Sequence, residues 1–194
     1  MLAQEAARIL SEEGRRNYLG AKRKAAERLG LSARHLPTNR EVEEALAEHQ
    51  RLFEGPRQAE RLERLRRTAL TVMEKLAGLE VRVAGAATGA IATAHALVEV
   101  HVFIDAAELL AFRLTDLGIP YRESERRIRW RDGRTRSVPS FCFNVAGQEV
   151  EALAFAPEDV REAPADPVDG RPMRRLRRRA LQELLETESD PSTA

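Results

Sequence analysis

Residues 80–103 read EVRVAGAATGAIATAHALVEVHVF, and the change of texture across this stretch decides the fold. Val81 and Val83 alternate with charged or small residues, and a run of Gly, Ala and Thr follows. Residues 97–103 then place Val98, Val100 and Val102 on one side and Glu99, His101 and Phe103 on the other, because successive strand residues project to opposite faces. Two strands joined by a glycine-led turn are expected.

Upstream, residues 1–79 show no period-two alternation and are punctuated at Gly14, Gly30, Pro37-Thr38-Asn39 and Gly55-Pro56. That pattern predicts four helices. Thr38 or Asn39 is placed to cap the third, with Glu41 and Glu43 in its favourable first turn. The fourth, from Pro56 to Leu79, carries Leu62, Leu65, Ala69, Val72 and Leu76 at spacings of three and four, a stripe that must be buried. Downstream, AAELLAFRLTDLG predicts a helix closing at Gly118. PYRESERRIRW, RSVPSFCFNV and QEVEALAF predict three strands turning at Asp132-Gly133 and Ala146-Gly147. A proline-broken linker leads to a last helix over residues 173–186, docked by Met173, Leu176, Ala180 and Leu184, and a polar tail from residue 188 is expected to be disordered. The fold class is therefore α+β: a helical region over 1–79, a mixed-sheet module with flanking helices over 80–160, and a linker and helix over 161–187 packing on that module.

Composition sets bounds on function. With 43% hydrophobic and 32% charged residues the chain can bury a core and keep a wet surface. No stretch approaches the apolar length of a membrane span, and the start lacks the charged-then-apolar order of a secretory signal, so a cytoplasmic protein is expected. The single cysteine, Cys142, lies between Phe141 and Phe143 and is read as core packing rather than a nucleophile. The net charge of +1 is uneven: residues 1–79 hold 16 basic against 12 acidic side chains, the remainder 16 against 19.

Transfer of a nucleotidyl group needs a turn that brings backbone to phosphate and carboxylates that converge on magnesium. Acids two apart on a strand share a face, which makes alternation the signature of such a site. The strand at Val81, the turn Gly85-Ala86, the second strand with Glu99 and His101, and Glu151 on the last strand supply this outline. On these residues, over roughly 80 to 156, the chain resembles the nucleotidyltransferase superfamily of polymerase-beta-like fold. The resemblance implies a nucleotide (NTP) or nucleotide-bearing ligand and magnesium or manganese held by Glu99 and Glu151. It also implies phosphate contacts at Gly85 and Ala86, and His101 completing the catalytic set with the two acids. In the best-spaced match Leu97 stands where the first metal-binding acid belongs and Glu99 where the second belongs. Shifted by two, Glu99 is first and His101 second.

Each residue also has a plainer account: Glu99 as a polar residue on an exposed sheet face, His101 as a hydrogen-bonded histidine, Glu151 as strand alternation, and His95 as a solvated loop residue. Arg171 and Arg174 open the densest basic run and are read either as wet helix surface or as folding back toward the Glu99 and Glu151 face to meet phosphate. Lys22, Arg23, Lys24, Arg61, Arg64, Arg66 and Arg67 are read as solvated helix surface or as contacts to an RNA backbone. A non-catalytic module binding protein or RNA through the helical half is thus the alternative to nucleotide binding.

Overall fold

The computed structural model describes residues 1–13, 17–32, 35–53 and 55–189. The chain divides into two compact units, one of Met1–Leu62, Ile91–Ala96 and Pro167–Asp169, the other of Glu63–Ala90, Leu97–Asp166 and the chain from Gly170 onward. The expected punctuation at Gly14 lies outside the described residues.

The first unit contains α1 (Leu2–Glu13), α2 (Tyr18–Arg28) and α3 (Asn39–Phe53). Small residues, Ala6, Ala7, Ala21 and Ala25, let helices approach closely, and Ile9, Leu10, Tyr18, Val42 and Leu46 fill the space between them. Asn39 is the first helical residue, and of the two candidate caps it is Thr38 that caps α3. Its Oγ1 accepts from the Glu41 amide at 3.2 Å, and Glu41 Oε2 accepts from the Thr38 amide at 2.7 Å, the reciprocal box that satisfies two orphan donors. Lys22, from the N-terminal basic set, donates to Asn39 Oδ1 at 2.7 Å.

The boundary between the units falls inside α4 (Gly55–Lys75) rather than after residue 79, because Leu65, Ala69, Val72 and Leu76 of the expected stripe are buried in the second unit. That unit is built on a five-stranded mixed sheet of order β1-β2-β5-β4-β3, formed by β1 (Glu80–Ala84), β2 (Val98–Phe103), β3 (Tyr121–Arg129), β4 (Thr135–Val145) and β5 (Gln148–Phe155). β1 pairs antiparallel with β2, and β2 runs parallel to β5. β5, β4 and β3 form an antiparallel meander. The β4–β5 turn sits at Ala146-Gly147, both at positive φ, as a tight hairpin requires. α5 (Ala107–Asp116) follows β2 and lies against β5.

Both faces are buried at the centre of the sheet, around β2 and β5, each with its own core, whereas most of edge strand β3 is exposed. One face carries Val83, Val98, Val100, Val102, Val150 and Phe141. The opposite face carries a second apolar cluster at one end, formed by Phe103, Ile128, Trp130, Val138, Leu153 and Phe155 with Val160 packed on it. Beyond that cluster the same face turns polar. Cys142 belongs to this polar side, half-buried opposite Glu151, while Phe141 and Phe143 point into the other core.

The C-terminal helix starts later than the apolar spacing predicts. α6 spans Arg178–Ser189, and residues 173–177 are not helical. Leu176 exchanges two backbone hydrogen bonds with Val83, of 2.9 and 2.8 Å, so the open edge of β1 captures this segment before the helix can begin. α6 also reaches two residues into the tail expected from residue 188, and residues 190–194 lie outside the described residues. Among the described residues no helix is long and apolar enough to cross a membrane.

Candidate functional site

The site grows from the register of two parallel strands. Glu99 on β2 is the lateral neighbour of Glu151 on β5, and Glu99 also lies opposite Ala84, the last residue of β1. The glycine-led turn begins at the next residue. Gly85 has φ +65°, and a Cβ there would lie 3.4 Å from both Cβ and Oε2 of Glu99. A side chain at Gly85 therefore meets backbone strain and the carboxylate together. Residues Gly85–Thr88 form one turn of 3₁₀ helix, closed by Thr88 Oγ1 donating to the Gly85 carbonyl at 2.8 Å.

Two arginines hold that turn by its carbonyls. Arg66, on α4, donates to Ala87 O at 3.0 Å and Gly89 O at 2.8 Å, and Arg174 donates to Thr88 O at 2.7 Å. Arg66 is 1% exposed, so it leaves the basic helix surface to which its sequence context assigned it. Arg64 and Arg67 are exposed, and Arg67 pairs with Glu63 one turn away. Arg171 is exposed in the linker, while Arg174 does reach the turn.

Glu99 is 7% exposed and His101 is wholly buried, which overturns the plain account of Glu99 as a residue on a solvent-facing sheet. Buried polar groups need partners, and here they form one chain. Arg175 Nε donates to His101 Nδ1 at 2.8 Å. A guanidinium has no acceptor, so Nδ1 must be the bare nitrogen and Nε2 carries the proton. Nε2 lies 2.8 Å from Glu99 Oε1, to which it donates. Glu99 Oε2 accepts from Arg126 Nη1 at 2.8 Å, and the same nitrogen donates to Glu151 Oε2 at 2.9 Å. Glu151 Oε1 accepts from the buried Ser140 hydroxyl at 2.8 Å.

Arg126 reaches these acids diagonally: it stands on β3 opposite Val138, whereas Glu151 is opposite Cys142, so the side chain crosses β4 and four residues of register. Arg175 is anchored at the far end, its Nη1 donating to the Asp159 carbonyl at 2.8 Å, and its guanidinium lies 5.0 and 4.9 Å from the ring centroids of Phe103 and Phe155.

The electrostatics follow from this chain. Burial pulls the Glu99 carboxyl upward, yet the His101 hydrogen bond and the Arg126 charge outweigh it and hold the group well below the usual carboxylate range. Burial pushes the His101 pKa down, and the charges of Arg175 and Arg126 act in the same direction against the pull of Glu99. His101 is therefore neutral. Burial lowers Arg175 to about 10, still a cation at neutral pH.

The chemistry of the donor set tests the metal that the sequence resemblance implies. All four oxygens of Glu99 and Glu151 already have partners, and the space between the carboxylates is taken by a guanidinium nitrogen. Among the described residues no group of three or more His, Cys, Asp or Glu is placed to hold a metal ion. The arrangement does not fit a divalent cation. Nor does it present a free base, since both nitrogens of His101 are engaged. Leu97 is half-buried one residue before β2, and His95 is exposed in the segment assigned to the other unit.

Glu99 and His101 share a face as their spacing predicts, and Glu151 lies beside Glu99 on the neighbouring strand, with Gly85 against Glu99. Arg126 and Ser140 complete the cluster without having been singled out in the sequence, and so does Arg175, which the sequence placed only within the basic run that Arg171 opens. The local signal for them was thin, because β3 alone offers Arg122, Arg126, Arg127 and Arg129, and only register shows which one enters the face. No protein-family model matches the chain, and neither a curated protein nor a solved structure matches it.

Proposed function

We propose that the sheet unit is a diverged nucleotidyltransferase-like module that binds a nucleotide or nucleotide-bearing substrate and has lost metal-dependent transfer. The observation that carries this reading is Glu99 and Glu151 side by side on parallel strands, next to a glycine-led turn, with Arg126 rather than an open space between them. What supports phosphate at the neighbouring turn is Arg174, which stands beside it with a forked, permanently charged group. Loss of transfer is supported by the engaged carboxylates and the engaged His101, none of which is free to align a metal or accept a proton. Function belongs to the site and not to the fold, so the ligand has to be tested directly.

Calorimetric titration with ATP, GTP, CTP and UTP, in excess magnesium and in excess chelator, makes that test. Binding of at least one nucleotide is expected in both conditions, with no release of pyrophosphate. Absence of heat with all four removes the nucleotide reading, and magnesium-stimulated pyrophosphate release overturns the loss of transfer.

A further inference from the structure

Two ionised carboxylates on adjacent strands repel one another, and in a buried setting they coexist only with a shared proton, a metal ion or a basic side chain between them. Arg126 Nη1 sits 2.8 Å from one and 2.9 Å from the other. We infer that Arg126 takes the place of a divalent cation between Glu99 and Glu151 and closes the pair to metal, so that losing this one side chain exposes a latent cation site. The inference concerns the same acid pair as the proposed function but does not depend on nucleotide binding.

Three features set the specificity. The guanidinium cannot lose its charge near neutral pH, so the neutralisation is permanent where a metal would exchange. It spends a single nitrogen on both acids, as a bridging ion would. It is also tethered, arriving from edge strand β3 with its side chain one-third exposed, whereas the side chains of Glu99 and Glu151 are largely buried. Replacing Arg126 thus uncovers two oxygens aimed at one point without disturbing the β2–β5 register that aims them. Two carboxylates completed by water suit a hard divalent ion such as manganese or magnesium.

Manganese alone is the probe, followed by loss of the free-ion electron paramagnetic resonance signal, for the intact protein and for Arg126→Ala, Arg126→Gln and the double variant Arg126→Ala with Glu151→Gln. The wild type is expected to leave manganese free. Both single variants are expected to bind it, at least roughly tenfold tighter than wild type. The double variant is expected to lose that gain. Thermal unfolding by circular dichroism adds a second readout: manganese should raise the melting temperature of the single variants and leave wild type unchanged.

Arg126→Gln removes the bridging Nη1 and its charge but keeps a polar, partly extended side chain, and is the variant to read if Arg126→Ala does not fold. Folded single variants that take up no more manganese than wild type overturn the inference, as does a wild type that binds it equally well. If nucleotides give no heat while Arg126→Ala captures manganese, the nucleotide reading fails and the closed-cation-site inference stands.

Discussion

His101 sits between Arg175 on Nδ1 and Glu99 on Nε2, and its pH behaviour follows from those two bonds. A second proton on the ring would have to enter at Nδ1, where it meets the Arg175 N–H head on. The folded state therefore resists protonation that the unfolded chain accepts near its ordinary value of 6.5. Because the folded value is depressed, the associated stability is fully present above pH 6.5 and is lost as pH falls below it. Glu99 adds a loss of the same sign that begins lower, as pH drops below the ordinary 4.5 of a free carboxyl, since its folded value is also depressed. His101→Gln separates the two. A glutamine amide can donate to Glu99 and accept from Arg175 as the neutral ring does, but it does not titrate. Urea midpoints measured from pH 8 to pH 4 are expected to fall from about pH 6.5 downward in wild type, and only from about pH 4.5 downward in His101→Gln. Parallel curves would show that His101 does not carry the first phase. The alternation in residues 98–103 made His101 and Glu99 legible as partners on one face. The burial of that face was not legible, because the groups that cover it, Arg126 and Arg175, lie 27 and 74 residues away in sequence from the side chains they contact.

At the scale of elements, the turn after β1 depends on α4. Arg66 is a buried cation whose donors satisfy the carbonyls of Ala87 and Gly89, and a methionine there fills similar volume while leaving both acceptors without it. Each unsatisfied buried carbonyl costs about 1–3 kcal/mol, so Arg66→Met is expected to lose about 2–6 kcal/mol in urea unfolding. Arg67→Met, one position on and exposed, should change stability by less than about 0.5 kcal/mol. Equal small effects at both positions would remove Arg66 from its proposed support of the turn. The helical period placed residue 66 next to Leu62, Leu65 and Ala69 on the buried side of α4, so its position was readable. Its charge argued for solvent, and that is the wrong inference for an arginine that finds backbone acceptors inside. The late start of α6 is the complementary case. Met173, Leu176, Ala180 and Leu184 have helical spacing, but the unpaired edge of β1 offers Leu176 two backbone bonds, and a long-range strand bridge overrides a local period.

For the molecule as a whole, the shift from helix to strand near residue 80 marks a change of secondary structure and not a limit of a folding unit. Glu63–Lys75 belongs with the sheet, and Leu65, Ala69, Val72 and Leu76 are each no more than 2% exposed there. Burying a large aliphatic side chain contributes about 1.5–3 kcal/mol, so a chain that begins at residue 80 forfeits several kcal/mol from Leu65, Val72 and Leu76 together with the Arg66 bonds to the turn. Domain stabilities are only about 5–15 kcal/mol, and such a loss is of the same size. A chain of residues 80–194 is therefore expected to show poor amide dispersion in a proton–nitrogen correlation spectrum and no cooperative melt. One beginning at residue 55 keeps all of α4 and is expected to retain both. A dispersed spectrum from the shorter chain would mean that the sheet's second core, around Phe103, Trp130 and Phe155, is sufficient without the helix. The arginine-bridged acid pair would then be a property of the sheet alone, and manganese uptake by Arg126→Ala could be measured in that shorter chain directly.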